Sequence, residues 1–146
     1  MGPFDPRSII FARHAQHVVL IHFPIALLIV GVGFDLTGQW KKNASLAAAA
    51  YYNLLVAAFS APLVVVSGLL AWYWQLEGAH LKGTLLLHLL LGSTSAVLIW
   101  LVWWIHHRAR RAGGRLPGGR LPVELLAVAC VALTGHLGGF LSGVNT

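Results

Sequence analysis

Charged residues and cysteines are scarce in this chain of 146 residues. Lys, Arg, Asp and Glu together make up 10% of the chain, whereas they approach about a quarter of a soluble globular domain. The single cysteine, Cys130, excludes an internal disulfide, and the absence of a Cys-x-x-Cys-His sequence excludes the usual attachment site of a c-type haem. The composition therefore argues against both a disulfide scaffold and a water-soluble globular domain.

Long apolar segments are abundant instead, since 58% of the residues are hydrophobic and the mean hydropathy is +0.75. A bilayer core about 30 Å thick is crossed by roughly 20 apolar helical residues, and lipid offers no partner to unpaired backbone groups. We predict helices over residues 16–38, 45–74, 84–105 and 122–144. Because the links are short, the chain, residues 1–146, is expected to form one all-α integral membrane domain, an up-down four-helix bundle.

The basic residues indicate the orientation of this bundle. A net charge of +6 can point to nucleic acid, but these residues lie beside apolar runs, as in topology signals, so no nucleic-acid partner is expected. Seven of them follow the first and third helices and three lie on the other side. Both termini are thus predicted on the outer, periplasmic side of a bacterial inner membrane. The seven are Lys41, Lys42, Arg108, Arg110, Arg111, Arg115 and Arg120, and the three are Arg7, Arg13 and Lys82.

Six of the eight histidines fall at the outer side of this topology. His22, His88 and His136 come from three different predicted helices, and each lies roughly 8–11 Å inside the outer boundary at about 1.5 Å per residue. Ionisable groups inside a membrane are rare and usually face the bundle interior or a partner. A single one often bonds a carbonyl of a neighbouring helix, but three at one depth favour a shared ligand. The six are His14, His17, His22, His80, His88 and His136.

Haem is the ligand that these three histidines suit best. Zinc sites use closely spaced His and Cys ligands, whereas this chain has no thiol pair and no His-x-x-x-His. A haem needs only one or two axial imidazoles in apolar surroundings. We therefore predict one or two b-type haems with His22, His88 and His136 as candidate iron ligands, and a quinone as a further candidate ligand.

His17 and two glycines complete the predicted site. His17 is turned by about 140° from His22 around the helix, so it would serve a second haem, a haem propionate or the aqueous boundary. Gly135 and Gly139 flank His136 at a Gly-x-x-x-Gly spacing. Two explanations fit that spacing equally well. One is close packing of helices, and the other is a porphyrin face that lies against the bare backbone.

The polar residues toward the inner boundary are expected to have structural positions and no part in the predicted haem site. Asp35 is expected to turn to the interface near Lys41 and Lys42. The arginine-rich stretch that begins at His106 is expected to form a loop. For His106 and His107, solvation at the interface is favoured over contact with a quinone head.

The sequence HFPIALL, which begins at His22 and follows His17, resembles the opening motif of a four-helix bacterial membrane family, domain of unknown function 2231. In that family the motif runs His-Pro-x-x-x-His-Phe-Pro-Ile-Ala-Leu, and Val18 stands here in place of the first proline. TGHLGG over residues 134–139 is similar to the Gly-x-x-Gly-Gly motif of the family's last helix. It resembles the form of that motif in relatives that are fused to c-type cytochrome modules. An acidic residue that many members carry before a tryptophan is absent, since Ala71 stands there. The resemblance covers nearly the whole chain and implies association with respiratory or other electron-transfer systems.

Two functions are consistent with these features. The first is a membrane b-type cytochrome subunit, an electron-transfer subunit rather than a stand-alone enzyme. It would move electrons between an outer-side redox partner, such as a c-type cytochrome, and a quinone or another haem. The alternative is a non-catalytic accessory subunit of a larger membrane complex. A proton or metal conduit is disfavoured, because polar residues that continue inward are sparse.

Overall fold

The computed structural model describes residues 13–113 and 115–142, except for the side chains of residues 13–15 and 75. The described residues form four α-helices and no strand: α1 (Arg13–Lys41), α2 (Ala44–Gln75), α3 (Gly83–Arg111) and α4 (Arg120–Leu141). Each helix is long and apolar enough to cross a membrane, which confirms the predicted all-α membrane fold. Residues 143 and 144 of the fourth predicted span lie outside the described residues.

The helices alternate in direction along the chain. His17 near the start of α1 bonds Ser67 near the end of α2, and Tyr51 near the start of α2 bonds His107 near the end of α3. Each helix packs on the next, and α4 returns to α1 through a smaller contact, so α1 and α3 lie diagonally across the bundle. We call the end that holds the starts of α1 and α3 the histidine end, and the opposite end the arginine end.

The turn between α1 and α2 fixes how these two helices pack. Asn43 caps α2, because its Oδ1 accepts hydrogen bonds from the backbone N–H groups of Ser45 at 2.9 Å and Leu46 at 3.1 Å. A Cβ added at Gly38 would lie 3.1 Å from the backbone nitrogen of Ala47. The glycine thus lets the end of α1 approach the start of α2 closely.

Helix α3 continues to Arg111, beyond the end predicted at residue 105, so the predicted loop is wrong over residues 106–111. Its last turn carries Arg108, Arg110 and Arg111, and positive side chains are favourable at the partly negative carboxyl end of a helix. The backbone N–H of Ala112 then donates to the carbonyl of Arg108 at 3.0 Å and closes the helix. As a result, His106 lies on a helix that packs in the bundle and not in a solvated loop.

The buried apolar core occupies the middle of the bundle and the half toward the arginine end. Nearer the histidine end, the buried side chains among the described residues are Pro24, Ala71 and Ser95. The helices therefore bury little side-chain surface against one another at the level of the predicted histidine ligands. The core residues are Leu28, Val32, Leu54, Ala57, Ala58, Ala61, Ile99, Val102, Trp103, Ala127 and Val131.

Candidate functional site

The four predicted histidine ligands lie toward the histidine end on three helices. His17 and His22 are on α1, His88 is on α3, and His136 is on α4. His17 and His88 are half-buried, whereas His22 and His136 are exposed. Because α1 and α3 are diagonal, His22 and His88 come from opposite corners of the bundle. The side chain of His14 lies outside the described residues.

His88 is held between α3 and α4 by two contacts. Its Nδ1–H donates to the backbone carbonyl of Thr134 at 3.1 Å. A Cβ added at Gly138 would lie 3.2 Å from Cε1 of the ring, so the imidazole lies against bare backbone. The Thr134 hydroxyl in turn donates to the carbonyl of Cys130 at 2.7 Å and lies 3.2 Å from Oγ of Ser95. These bonds order the segment of α4 on which His88 rests.

His17 is held against α2 in a similar way. Its Nδ1 lies 2.8 Å from Oγ of Ser67. The Ser67 hydroxyl donates its own proton to the carbonyl of Val64 at 2.8 Å, so the oxygen accepts from Nδ1–H of the imidazole. A Cβ added at Gly68 would lie 2.9 Å from Cε1 of His17. Both half-buried imidazoles therefore rest on a glycine of the neighbouring helix.

The two exposed histidines have different surroundings. Nδ1–H of His22 donates to the carbonyl of Val18 one turn earlier, at 2.6 Å. The His136 ring stands edge-on to Phe140, with 5.0 Å between ring centroids. The hydrogen bond fixes the tautomer of His22, whereas the ring contact leaves that of His136 open.

Gly135, one of the two predicted glycines, does not lie at a close helix contact. A Cβ added at Gly135 would meet nothing within 4 Å, and Gly139 is half-buried. Among the glycines whose surroundings the structure describes, Gly138 and Gly68 lie against imidazole rings. Gly138 belongs to the recognised GHLGG stretch, but a lone glycine in the apolar run of α2 gives no sequence signal that would single out Gly68.

The three hydrogen bonds assign one tautomer to His17, His22 and His88. The carbonyls of Val18 and Thr134 can only accept, and the Ser67 hydroxyl gives its own proton to Val64, so Nδ1 carries the proton and Nε2 carries the lone pair. Within the part of the chain that the structure describes, no residue hydrogen-bonds Nε2 of His22 or His88. Metal-ligating histidines characteristically donate their second ring N–H to a carbonyl or a similar acceptor. Nε2 of His22 and of His88 therefore carries a lone pair that no described residue uses.

A second site, the charged cluster of Asp35, His106, Arg120 and Glu124, lies toward the arginine end. Nε of Arg120 donates to Oδ2 of Asp35 at 2.9 Å, and Nη2 of Arg120 lies 2.8 Å from the same oxygen. Nε2 of His106 lies 2.8 Å from Oε1 of Glu124, and Nε of Arg120 lies 3.6 Å from that same oxygen. The four side chains are at most 8% exposed. Three helices thus contribute to one buried ionic network.

This cluster corrects two interpretations of the sequence. Asp35 does not turn to the interface near Lys41 and Lys42, since it is 1% exposed and paired with Arg120. His106 is not solvated, because it is 4% exposed and bonded to Glu124. The sequence feature that indicates this cluster is one carboxylate inside each of two apolar spans, Asp35 and Glu124, with Arg120 one turn before Glu124.

Asp35, His106 and Glu124 also have the geometry of a metal site, because one ligand atom from each lies within 4.8 Å of the others. The guanidinium of Arg120 already binds Oδ2 of Asp35, however, and so brings a positive charge into the same space. Oε2 of Glu124 is buried and has no hydrogen-bond partner among the described residues. The cluster therefore retains an unsatisfied acceptor.

The chain matches the model of one protein family, DUF2231, described as predicted membrane proteins, over residues 13–144. No curated protein and no solved structure matches it. The matched range includes all four helices, both histidine-bearing motifs and the charged cluster. It confirms the family to which the sequence was compared. The chain belongs to the DUF2231 family of membrane proteins.

Proposed function

We propose that this protein is a haem-binding subunit that transfers electrons in a bacterial inner membrane, with His22 and His88 as axial ligands. The observation that carries the proposal is the shared tautomer of these residues, in which a backbone carbonyl holds Nδ1–H and Nε2 keeps its lone pair. Neutral imidazole with a lone pair on one ring nitrogen is the form that binds iron. The hydrogen bonds orient both rings in advance.

The diagonal relation of α1 and α3 supports a flat group between the two imidazoles. Contacting helices lie about 8–10 Å apart, so diagonal helices of a square bundle lie roughly 11–14 Å apart. Imidazoles from opposite corners can then approach a macrocycle from its two faces. Few side chains are fully buried toward the histidine end, which is the level at which a group bound by His22 and His88 would lie.

Two imidazole ligands fit electron transfer better than oxygen chemistry, because they leave no open axial position. When bound, the haem supplies a one-electron redox couple, and the chain supplies ligation and orientation. His17 has the same tautomer as His22 and His88, which suits it to a second haem or to a propionate. His136 is a further candidate ligand for a second haem. An electron-transfer subunit, rather than a stand-alone enzyme, is the role that follows.

The position of the site near one end determines the partners we propose. The histidine end is predicted to face outward, where a redox subunit such as a c-type cytochrome would exchange electrons with it. A single haem near one end does not carry electrons across the bilayer. The second partner is therefore a membrane-soluble quinone or another haem within a larger complex.

The visible spectrum of ligand variants tests the proposal. Protein purified from haem-supplied cells is expected to show a sharp reduced α-band after addition of dithionite. His88→Ala or His22→Ala removes one axial ligand and is expected to abolish that band. His80→Ala is the control, because His80 is exposed in the link between α2 and α3, and it should leave the band intact. Loss of the band in all three variants, or in none, would contradict the ligand assignment.

A non-catalytic accessory subunit is the second candidate function. The observation that favours it is the exposure of His22 and His136, since exposed imidazoles can bond a neighbouring subunit or a lipid headgroup. A colourless preparation with full helical content, obtained with haem available, would support this function over the first.

A further inference from the structure

The charged cluster at the arginine end takes no part in the proposed haem site. Its four members lie on α1, α3 and α4, and each side chain is at most 8% exposed. Helix α2 completes the bundle without any Asp, Glu, Lys, Arg or His in its sequence. Its Tyr51 bonds the neighbouring His107 instead. The formal charges inside the buried network are therefore those of Asp35, His106, Arg120 and Glu124, whereas the basic residues Lys41, Lys42, Arg108, Arg110 and Arg111 at the same end are exposed.

The ionic groups of this cluster do not balance one another. Two carboxylates face one guanidinium, so with a neutral imidazole the buried network keeps one uncompensated negative charge. Such a charge is costly in a medium of low dielectric constant. One added positive charge makes the cluster neutral, whereas a divalent ion beside Arg120 would overcompensate it. The charge count therefore favours a single monovalent cation.

The pair of His106 and Glu124 offers the place for that charge. Nε2 and Oε1 are 2.8 Å apart, a hydrogen-bond distance, and histidine is the side chain whose charge ordinarily changes near neutral pH. The second carboxylate oxygen, Oε2 of Glu124, is buried without a partner among the described residues, in a side chain that is 1% exposed. An unsatisfied buried acceptor and a titratable ring thus lie in one pair.

We propose that the charged cluster is a buried proton-binding site, in which the His106–Glu124 pair takes up one proton from water at the arginine end. The proton changes the cluster from a net single negative charge to neutrality. Exchange with water does not require a path across the bilayer. The cluster adjoins the link between α3 and α4, because Arg120 is the first residue of α4 and its Nη1 donates to the carbonyl of Pro117 in that link at 3.4 Å. The proton therefore enters from the arginine end. The site is independent of haem binding.

Solid-state NMR of the full chain in lipid nanodiscs, with ¹⁵N-labelled histidine, tests this proposal. The His106 ring is assigned by its absence in His106→Gln, or by sequential assignment in the wild type if that variant does not fold. Acidification of the sample is expected to convert the ring reversibly from a neutral tautomer to the doubly protonated form. A His106 ring that stays in one protonation state on acidification, with no protonated-carboxyl infrared band for Glu124, would overturn the proposal.

Two charge-removing variants and one control distinguish the cluster from an ordinary solvated histidine. Glu124→Gln and Asp35→Asn each remove one negative charge, so the cluster is neutral without the proton and His106 should stay neutral throughout. His107→Gln alters the adjacent imidazole outside the cluster and should leave the transition unchanged. A transition that persists in both charge-removing variants refutes the charge-balance argument. A response of His106 to added Zn²⁺ at constant pH, reversed by a chelator, would assign a metal site and overturn the proton assignment.

Discussion

Replacement of Arg120 with alanine is expected to destabilise the bundle by about 3–5 kcal/mol, because it leaves two carboxylates buried without their positive partner. Arg120 makes two short contacts to Oδ2 of Asp35, and both side chains are nearly inaccessible. Breaking a buried ion pair on one side leaves an uncompensated charge, which costs far more than the loss of a surface pair. The variant should therefore unfold or dissociate at a markedly lower denaturant concentration than the wild type.

The double variant Asp35→Leu/Arg120→Met separates this effect from a simple loss of packing. It removes both charges and keeps apolar volume, so it should recover most of the stability lost in Arg120→Ala. Arg111→Ala, an exposed change at the end of α3, should shift stability by no more than about 0.5 kcal/mol. Resistance to SDS or reversible unfolding in mixed micelles gives the comparison. If Arg120→Ala and Arg111→Ala have equal effects, the cluster is not buried as described.

Replacement of Gly138 with valine is expected to lower haem occupancy by about tenfold or more, the range seen when a group that orients a metal ligand is lost. A Cβ at this position would lie 3.2 Å from Cε1 and 3.8 Å from Nδ1 of His88. The added γ-carbons have to displace the ring from the carbonyl of Thr134. His88 would then lose the bond that fixes its tautomer and direction.

Ala132→Val is the control for this prediction. Both residues lie on α4, and both substitutions place the same β-branched residue in a helix, but Ala132 is exposed and does not belong to the predicted site. Haem per chain, measured from the reduced spectrum, should fall in Gly138→Val and stay near the wild-type value in Ala132→Val. The His88 ¹⁵N signal gives a readout that does not depend on haem. Equal haem occupancy in the two variants, with an unmoved His88 signal, would contradict the positioning role.

The four membrane helices were predictable because the apolar runs are long and the polar links are short. The end of α3 was not, since its last turn consists of histidines and arginines that resemble a link in composition. Those residues stay helical because their positive charges suit a helix carboxyl end and because His106 reaches Glu124. A hydropathy pattern describes one segment at a time and so does not show a pairing between residues of distant segments.

The same limit applies to the candidate sites. The gathering of histidines at one end follows from helix direction alone, so His17, His22, His88 and His136 were placed there from the sequence. The glycines that contact two of them depend on how neighbouring helices rotate, which no single segment encodes. Asp35 was predicted to turn to the interface because Lys41 and Lys42 are near in sequence. Its partner is Arg120, on a helix that packs beside it only in the folded bundle.

The ratio of haem to polypeptide in the purified wild-type chain shows whether the protein binds haem at all. The protein should be expressed with haem available, extracted in mild detergent and shown to retain its helical content. We expect about one or two tightly bound b-type haems per chain, low-spin and six-coordinate, as two imidazole ligands require. A folded chain that binds no haem, or that binds it equally well without His22 and His88, would contradict the proposed function.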